Sequence, residues 1–380
     1  MSFRPLALEC ASEFIGTFVL VFLGSASIAT AACTTRDISD VASQQVALGW
    51  GFAAALATFI AAPASGAHLN PAVTLSLALS SQTRTGFPKR KIPAYMLFQL
   101  LGATLAGLAV LIMFGSAIER FENRLKLVRG HSSSALSAVA FGCSFPHPQL
   151  VYGPDEDPIP WGKHDVSVAG ALLLEALGAM IFMLIQRVVR LPRQPSGADA
   201  FTNSTQSRSE SVEDQSPRLL DNSSSASLYI GVAQAALTLV MTSFTQACLN
   251  PARDLGPRII AAAAGWGSIA IPGVRVSYFW VYLVGPTIGA LAGSLVFDLL
   301  IFPGLQTSDE AAAAWMRHQQ LEGDAILEQL EKSQTLLSMT SGFEAMATAG
   351  RGLHHSDFRG SPTPPDYRLS SPGRLHTFAS

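Results

Sequence analysis

The tripeptide Asn-Pro-Ala occurs as Asn70-Pro71-Ala72 and again as Asn250-Pro251-Ala252, about 180 residues further on. Asparagine ahead of proline is suited to start a helix: the side chain caps the first N–H groups, and proline fits the first turn, where no N–H is needed. Each copy lies between apolar stretches long enough to cross a bilayer. Two such helix starts facing each other would each place roughly half a positive charge at mid-membrane. The asparagine amides then donate toward a passing oxygen. A water held through both lone pairs cannot relay a proton, and the positive field opposes cations. This chemistry is selective hydrogen bonding to a small neutral solute, with no bond made or broken.

Other polar residues sit where lipid makes them costly. Arg253 follows the second tripeptide directly, and an arginine at membrane depth is usually functional. Glu13 and Glu175 occupy matching places in two apolar stretches. A proton relay is one reading of such acids; bracing the exposed backbone of a re-entrant loop is the other, and the symmetry favours bracing. His68 precedes the first tripeptide and is read as a fixed pore-lining or loop-bracing group, with a pH gate as the alternative. The four cysteines, Cys10, Cys33, Cys143 and Cys248, show no metal-ligand spacing. Cys33 and Cys143 can pair if both face outward, but the reading preferred is small apolar fillers.

The elements that position these groups follow from hydropathy. A bilayer core takes about 20 apolar residues per helix, and six stretches qualify: roughly 7–32, 44–62, 93–116, 166–189, 227–246 and 277–302. All are rich in Gly, Ala, Ser and Thr, which lets helices approach closely in lipid. Asn70–Ser80 and Asn250–Ala264 are too short to span and cover about half the core. The halves answer each other: Glu13-Phe14-Ile15-Gly16 matches Glu175-Ala176-Leu177-Gly178, and Gly102-Ala103-Thr104 matches Gly285-Pro286-Thr287. Three spans per half is an odd number, so the second half enters from the opposite side. The expected fold is an all-α integral membrane protein, with six transmembrane helices plus two re-entrant half-helices in an inverted repeat. The channel domain covers 1–303, with repeat one at 7–116 and repeat two at 166–302.

Three segments lie outside this frame. Residues 191–226 are polar and Ser-rich and are expected to form a disordered cytoplasmic loop. Ser209 and Ser211 there, beside Glu210, Glu213 and Asp214, are candidate phosphorylation sites. The connection at 117–165 is long and irregular. The tail, 304–380, opens with a helix signal, Thr307 with Glu310 at capping-box spacing, then turns to Gly, Ser and Pro and expected disorder; a cytoplasmic partner for it is open.

Of 380 residues, 49% are apolar and 14% charged, and the formal net charge is −2, which argues against a nucleic-acid partner. Arg84, Lys89, Arg90, Lys91, Arg187, Arg190 and Arg193 fall on one side. The positive-inside rule makes that side cytoplasmic, with both termini, although Arg120, Arg124, Lys126 and Arg129 lie opposite. The acceptor patterns at Asn203 and Asn222 would then carry no sugar.

The stretches Ser65-Gly66-Ala67-His68-Leu69-Asn70-Pro71-Ala72-Val73-Thr74 and Asn250-Pro251-Ala252-Arg253-Asp254-Leu255-Gly256-Pro257-Arg258 resemble the signature loops of the major intrinsic protein family, the aquaporins and aquaglyceroporins. The resemblance covers about residues 7–303 and implies a channel, a homotetramer and a place in the plasma membrane. In the family, the residue at Arg253 lines a narrow outer constriction. The other constriction positions fall, by spacing within the resemblance, on Trp50, Thr238 and Ala247. Thr238 stands where water-selective members usually carry histidine, which implies a wider opening. Trp50 would face a carbon backbone while Arg253 binds hydroxyls. Ala247 departs from the aromatic of bacterial glycerol facilitators; with Trp50 and Arg253 it resembles some plant nodulin-like members. Asp254 and Arg258 match the aquaglyceroporin pattern, as Phe145-Pro146-His147-Pro148 loosely does. Tyr282 does not.

The leading expectation is therefore a passive channel for glycerol and water, with no cofactor and no metal. The alternatives are a channel mainly for water, ammonia, hydrogen peroxide or metalloid acids, an ion-coupled secondary transporter, and a non-conducting scaffold. Absence of a nucleophile–base pair speaks against an enzyme.

Overall fold

The computed structural model describes residues 6–34, 40–80, 87–152, 162, 164–191, 218–273, 278–304, 329 and 332. The chain divides into Met1–Gln306 and Thr307–Ser380. Of the second unit Gln329 and Lys332 are described, both helical; the tail helix expected from Thr307 otherwise lies outside the described residues, as do Asn203, Ser209 and Ser211.

The first unit is built from ten α-helices among the described residues: α1 Leu6–Thr34, α2 Asp40–Ser65, α3 Pro71–Leu79, α4 Ile92–Leu125, α5 Ala135–Ala138, α6 Pro148–Tyr152, α7 Val168–Val189, α8 Arg218–Met241, α9 Pro251–Ala261 and α10 Val281–Val296. Five spans, in α1, α2, α4, α7 and Tyr278–Gly304, are long and apolar enough to cross a membrane. The sixth, α8, is a 24-residue helix whose apolar part is Ser225–Met241.

Two expectations change here. The segment 191–226 is helical from Arg218, so its last part is not disordered and Asn222 sits within a helix. An established helix adds one hydrogen bond per residue fixed, so polar residues next to an apolar span extend it without adding to the hydropathy signal. The second half-helix ends at Ala261 and passes into a π turn, Ala262–Trp266, in which Gly265 has φ 103°.

Packing exchanges parts between halves. Helix α1 lies against α2 and α4, and α7 lies against α8 and α10; α2 and α8 pack on each other. The half-helices cross over: α3 of the first half packs on α10 of the second, and α9 packs on α4. Neither half can therefore close its own half-helix. One end of the bundle is tied by Lys91 Nζ to Glu9 at 2.7 Å and by Arg190 donating to the Ala67 carbonyl at 2.8 Å. At the other end Arg129 is paired with Glu122 at 3.0 Å and lies over the Trp266 ring, so one of the cations that counts against the assigned orientation is locally neutralised.

Glycine makes the tight crossings. A Cβ on Gly102 would stand 2.4 Å from the Phe14 carbonyl oxygen, and one on Gly289 would stand 2.0 Å from that of Ala176. Phe14 follows Glu13 and Ala176 follows Glu175, so Gly102 corresponds to Gly289 rather than to Gly285. The register read from Gly285-Pro286-Thr287 is thus four residues early, because Gly-Ala recurs at Gly289-Ala290 one helical turn on. Large apolar side chains such as Phe52, Ile112, Leu173 and Leu300 point outward, the side a lipid solvent would cover.

Leucine at Gly102 or Gly289 is expected to lower the melting temperature in detergent, at a cost of about 1–3 kcal/mol. Gly115→Leu, with open space around its Cβ direction, should leave it unchanged, and equal losses at all three positions would refute the close-approach argument.

Candidate functional site

Each tripeptide forms as its residue types require. Asn70 is extended (φ −157°) and its Oδ1 accepts the Ala72 N–H at 2.9 Å. Asn250 is extended (φ −145°) and its Oδ1 accepts from Ala72's counterpart, the Ala252 N–H, at 3.0 Å, and from the Arg253 N–H at 3.3 Å. The amide groups reach across: Asn70 Nδ2 donates to the Leu249 carbonyl, and Asn250 Nδ2 donates to the Leu69 carbonyl, both at 2.8 Å. The two half-helix starts are clasped by reciprocal bonds. An amide nitrogen carries two hydrogens, so each asparagine has a second donor beyond the clasp. The sequence shows two caps; it does not show that each is bonded to the other's loop.

The loops ahead of the tripeptides are left-handed at non-glycine residues: Ala67 and Leu69 in the first, Gln246, Ala247 and Leu249 in the second. Such residues cost of order 1–2 kcal/mol each, so something must hold them. Glu13 does so in the first loop, accepting from His68 N–H at 2.9 Å, Leu69 N–H at 2.7 Å, Ser65 Oγ at 2.6 Å and Gln99 Nε2 at 2.7 Å. Glu175 accepts from the Cys248 and Leu249 N–H groups at 3.0 and 2.9 Å. Both carboxylates are fully buried, and backbone donors offset the cost of burying them. Gly16 and Gly178 leave room for the Leu69 and Leu249 side chains.

A narrow void runs past this clasp, lined among others by Trp50, Thr58, His68, Asn70, Phe182, Gln186, Gln234, Cys248, Asn250 and Arg253. The Arg253 guanidinium carbon lies over the Trp50 ring, 4.2 Å from its centroid. It donates to the Cys143 sulfur and, at 3.4 Å, to the Gln246 carbonyl. Trp50 Nε1 and Arg253 Nε have no hydrogen-bond partner among the described residues. His68 is hydrogen-bonded to Thr74 Oγ1 at 3.2 Å, and its ring is tilted against those of Phe87 and Tyr95.

Of the four constriction residues expected, the structure brings Trp50 and Arg253 together on this void. Thr238 and Ala247 do not line it: the Thr238 hydroxyl is 3.2 Å from Gln234 Nε2, and Ala247 packs with Ala179, Met241 and Leu249. Gln234, one turn before Thr238, takes the lining place. Its signal was a lone amide in an apolar span. Gln186 and Cys248 were likewise missed.

Asp254 and Arg258 act on a neighbour. Asp254 accepts the Cys143 N–H at 2.8 Å and Arg258 Nε at 2.6 Å, while Arg258 donates to the Ala270 carbonyl at 2.8 Å and to the Cys143 carbonyl. This fully buried pair pins the 142–145 turn against the constriction. Phe145 continues it, edge-on to Tyr282. The four cysteines are free, and Cys143 lies beside Cys248.

A profile of the family described as Major intrinsic protein matches residues 4–146 and 211–297. The chain belongs to the major intrinsic protein family. It is 30% identical over 307 residues to the "Glycerol uptake facilitator protein" of Pseudomonas aeruginosa, covering 80% of this chain and 93% of that one. The protein of the same name from Haemophilus influenzae is 30% identical over 304 residues, 78% and 95% of the two chains. Among solved structures, the aquaglyceroporin from Plasmodium falciparum aligns with TM-score 0.58 and 27% identity, covering 80% of this chain and all of that one. The chain falls on the aquaglyceroporin branch. Family members are channels, and this is not an enzyme.

Two outcomes test the geometry. Asn70→Ala and Asn250→Ala should each destabilise the protein by about 1–3 kcal/mol, but the double variant should lose clearly less than the sum, because either change opens the same clasp; additive losses would mean the two bonds are independent. In the 117–165 connection, burial pushes the His147 imidazole down from 6.5 to about 4, and its Nδ1 accepts the Gln149 N–H, which the unprotonated ring alone can do. The unfolded chain takes this proton near 6.5 and the folded one only near 4, so stability is full above pH 6.5 and falls as pH drops toward 4. Melting curves across that range should be steeper in pH for the wild type than for His147→Phe; matching curves would contradict the assignment.

Proposed function

We propose that the protein is a passive facilitator for glycerol and similar small neutral solutes, with water following, in which the clasped asparagines set the neutral-solute rule and Trp50 with Arg253 set the solute. The observation that carries this reading is the pairing of an apolar ring face and a guanidinium on one wall of the void. A polyol offers both complements: a carbon backbone for Trp50 and hydroxyl oxygens for the Arg253 donors. The names of the similar proteins, glycerol uptake facilitators, support the same solute class.

The roles follow the geometry. Asn70 and Asn250 use their second amide hydrogens on the solute oxygen, and the paired helix starts repel protons and cations. Glu13 and Glu175 hold the loop backbone and carry no proton across. Asp254 and Arg258 set the outer turn. Thr238 and Ala247 stand behind the lining and, being small, put no bulk against it. His68 is a fixed wall of the void. The protein acts as a homotetramer in the plasma membrane with both termini cytoplasmic, in keeping with the basic loops beside α4 and α7. Ion-coupled transport would need exchangeable acids at mid-membrane, whereas Glu13 and Glu175 each accept two loop N–H groups, one on each carboxylate oxygen.

Liposome swelling separates the readings. Wild-type vesicles should swell under both water and glycerol gradients. Arg253→Ala should change the glycerol-to-water ratio by about tenfold or more, the scale set by about 1.4 kcal/mol at one donor. Swelling in water alone would remove the glycerol assignment.

A further inference from the structure

Cys143 and Cys248 come from segments 105 positions apart, yet both are buried, and their sulfurs lie within 4.8 Å of one another and of an Asp254 oxygen. The aspartate is committed to the Cys143 N–H and to Arg258, which leaves the two sulfurs as the groups still able to react. Their surroundings differ. Cys248 lines the void, and its sulfur contacts the Asn250 carbonyl at 3.4 Å. Cys143 lies behind Arg253 and receives a hydrogen bond from its guanidinium.

We infer that Cys143 and Cys248 form a reversible redox switch at the constriction, closed to a disulfide by a small neutral peroxide that enters the void. In the first step the Cys248 sulfur attacks one peroxide oxygen; the O–O bond breaks, the departing hydroxide takes the thiol proton, and a sulfenic acid and one water result. In the second, the Cys143 sulfur attacks the Cys248 sulfur, the S–S bond forms, the S–O bond breaks, and the displaced hydroxide takes the Cys143 proton, giving a second water. Two thiols and one peroxide become one disulfide and two waters.

Closing the bond has a mechanical consequence. The sulfurs must approach to about 2.05 Å, drawing Cys248 off the wall of the void. Cys248 sits between Ala247 and Leu249, two left-handed residues whose loop is held through the Cys248 and Leu249 N–H groups by Glu175. Arg253 simultaneously loses its sulfur acceptor. Both the loop that carries the Leu249 carbonyl of the clasp and the guanidinium at the narrow point shift, so permeation falls in the oxidised protein.

The test uses the full chain in liposomes. Basal glycerol uptake is measured first in the reduced protein, so a failure of the glycerol assignment is seen before any oxidant is added. The vesicles are then treated with hydrogen peroxide, assayed, reduced with dithiothreitol and assayed again, while a parallel sample is mapped by peptide mass spectrometry without reduction. The expected result is a cross-linked peptide joining Cys143 to Cys248, with the intact mass lower by two hydrogens. Uptake should fall about fivefold or more, the scale of a closed constriction, and recover on reduction. For Cys143→Ala, Cys248→Ala and the corresponding serine variants, the ratio of oxidised to reduced uptake should stay near one, whatever their basal rate. No Cys143–Cys248 cross-link in the wild type overturns the inference, and that readout requires no variant to fold. So does inhibition that persists in the Cys143 variants, or a cross-link that leaves uptake unchanged.

Discussion

Everything in the pore depends on two reciprocal hydrogen bonds, Asn70 to the Leu249 carbonyl and Asn250 to the Leu69 carbonyl. Each joins a helix cap of one half to the loop of the other. In a lipid solvent, apolar contact does little to drive helices together, so directional polar bonds decide how the halves meet. The clasp also explains the exchange of half-helices, with α3 on α10 and α9 on α4: the two starts can face each other only if each half-helix crosses to its partner's side.

The clasp in turn sets conditions on its neighbours. To present Leu69 and Leu249 carbonyls across the midline, both loops turn left-handed at non-glycine residues, and both need a buried acceptor for the N–H groups so exposed. Glu13 and Glu175 meet that need. Carboxylates at membrane depth can serve as transport groups, but the symmetry of these two in the sequence favours bracing, and each of their oxygens accepts a loop N–H. Beyond the clasp the Asp254–Arg258 pair repeats the logic, using buried charge to hold the turn at Cys143 and so the wall behind Arg253. Charge in this membrane protein is spent on shape.

Much of this was legible in the sequence. The two tripeptides, the matched glutamates and the span count give the all-α frame, because a bilayer demands apolar length and saturated backbone at every span. What was not legible depends on where helices touch. The repeat register slipped by one turn because Gly285 and Gly289 look alike in sequence and differ only in which carbonyl each meets. Helix α8 begins earlier than its hydropathy, since polar residues can continue a helix without being apolar. Of the constriction, Trp50 and Arg253 line the void; Thr238 lies one turn of α8 from Gln234, which lines it, and the Ala247 side chain turns into packing with Ala179 and Met241. The pairing of Cys143 with Cys248 has no sequence signal, since it exists only through the turn that Asp254 and Arg258 hold.

The central claim is that the clasped half-helices conduct a neutral solute while refusing protons. Simultaneous recording of glycerol uptake and internal pH, in liposomes holding a pH dye and an imposed proton gradient, tests this most directly. The account predicts rapid glycerol equilibration at the same rate with the gradient present or collapsed, and no proton entry above that of empty vesicles. Proton flux that accompanies glycerol, or uptake that stops when the gradient is removed, would contradict it.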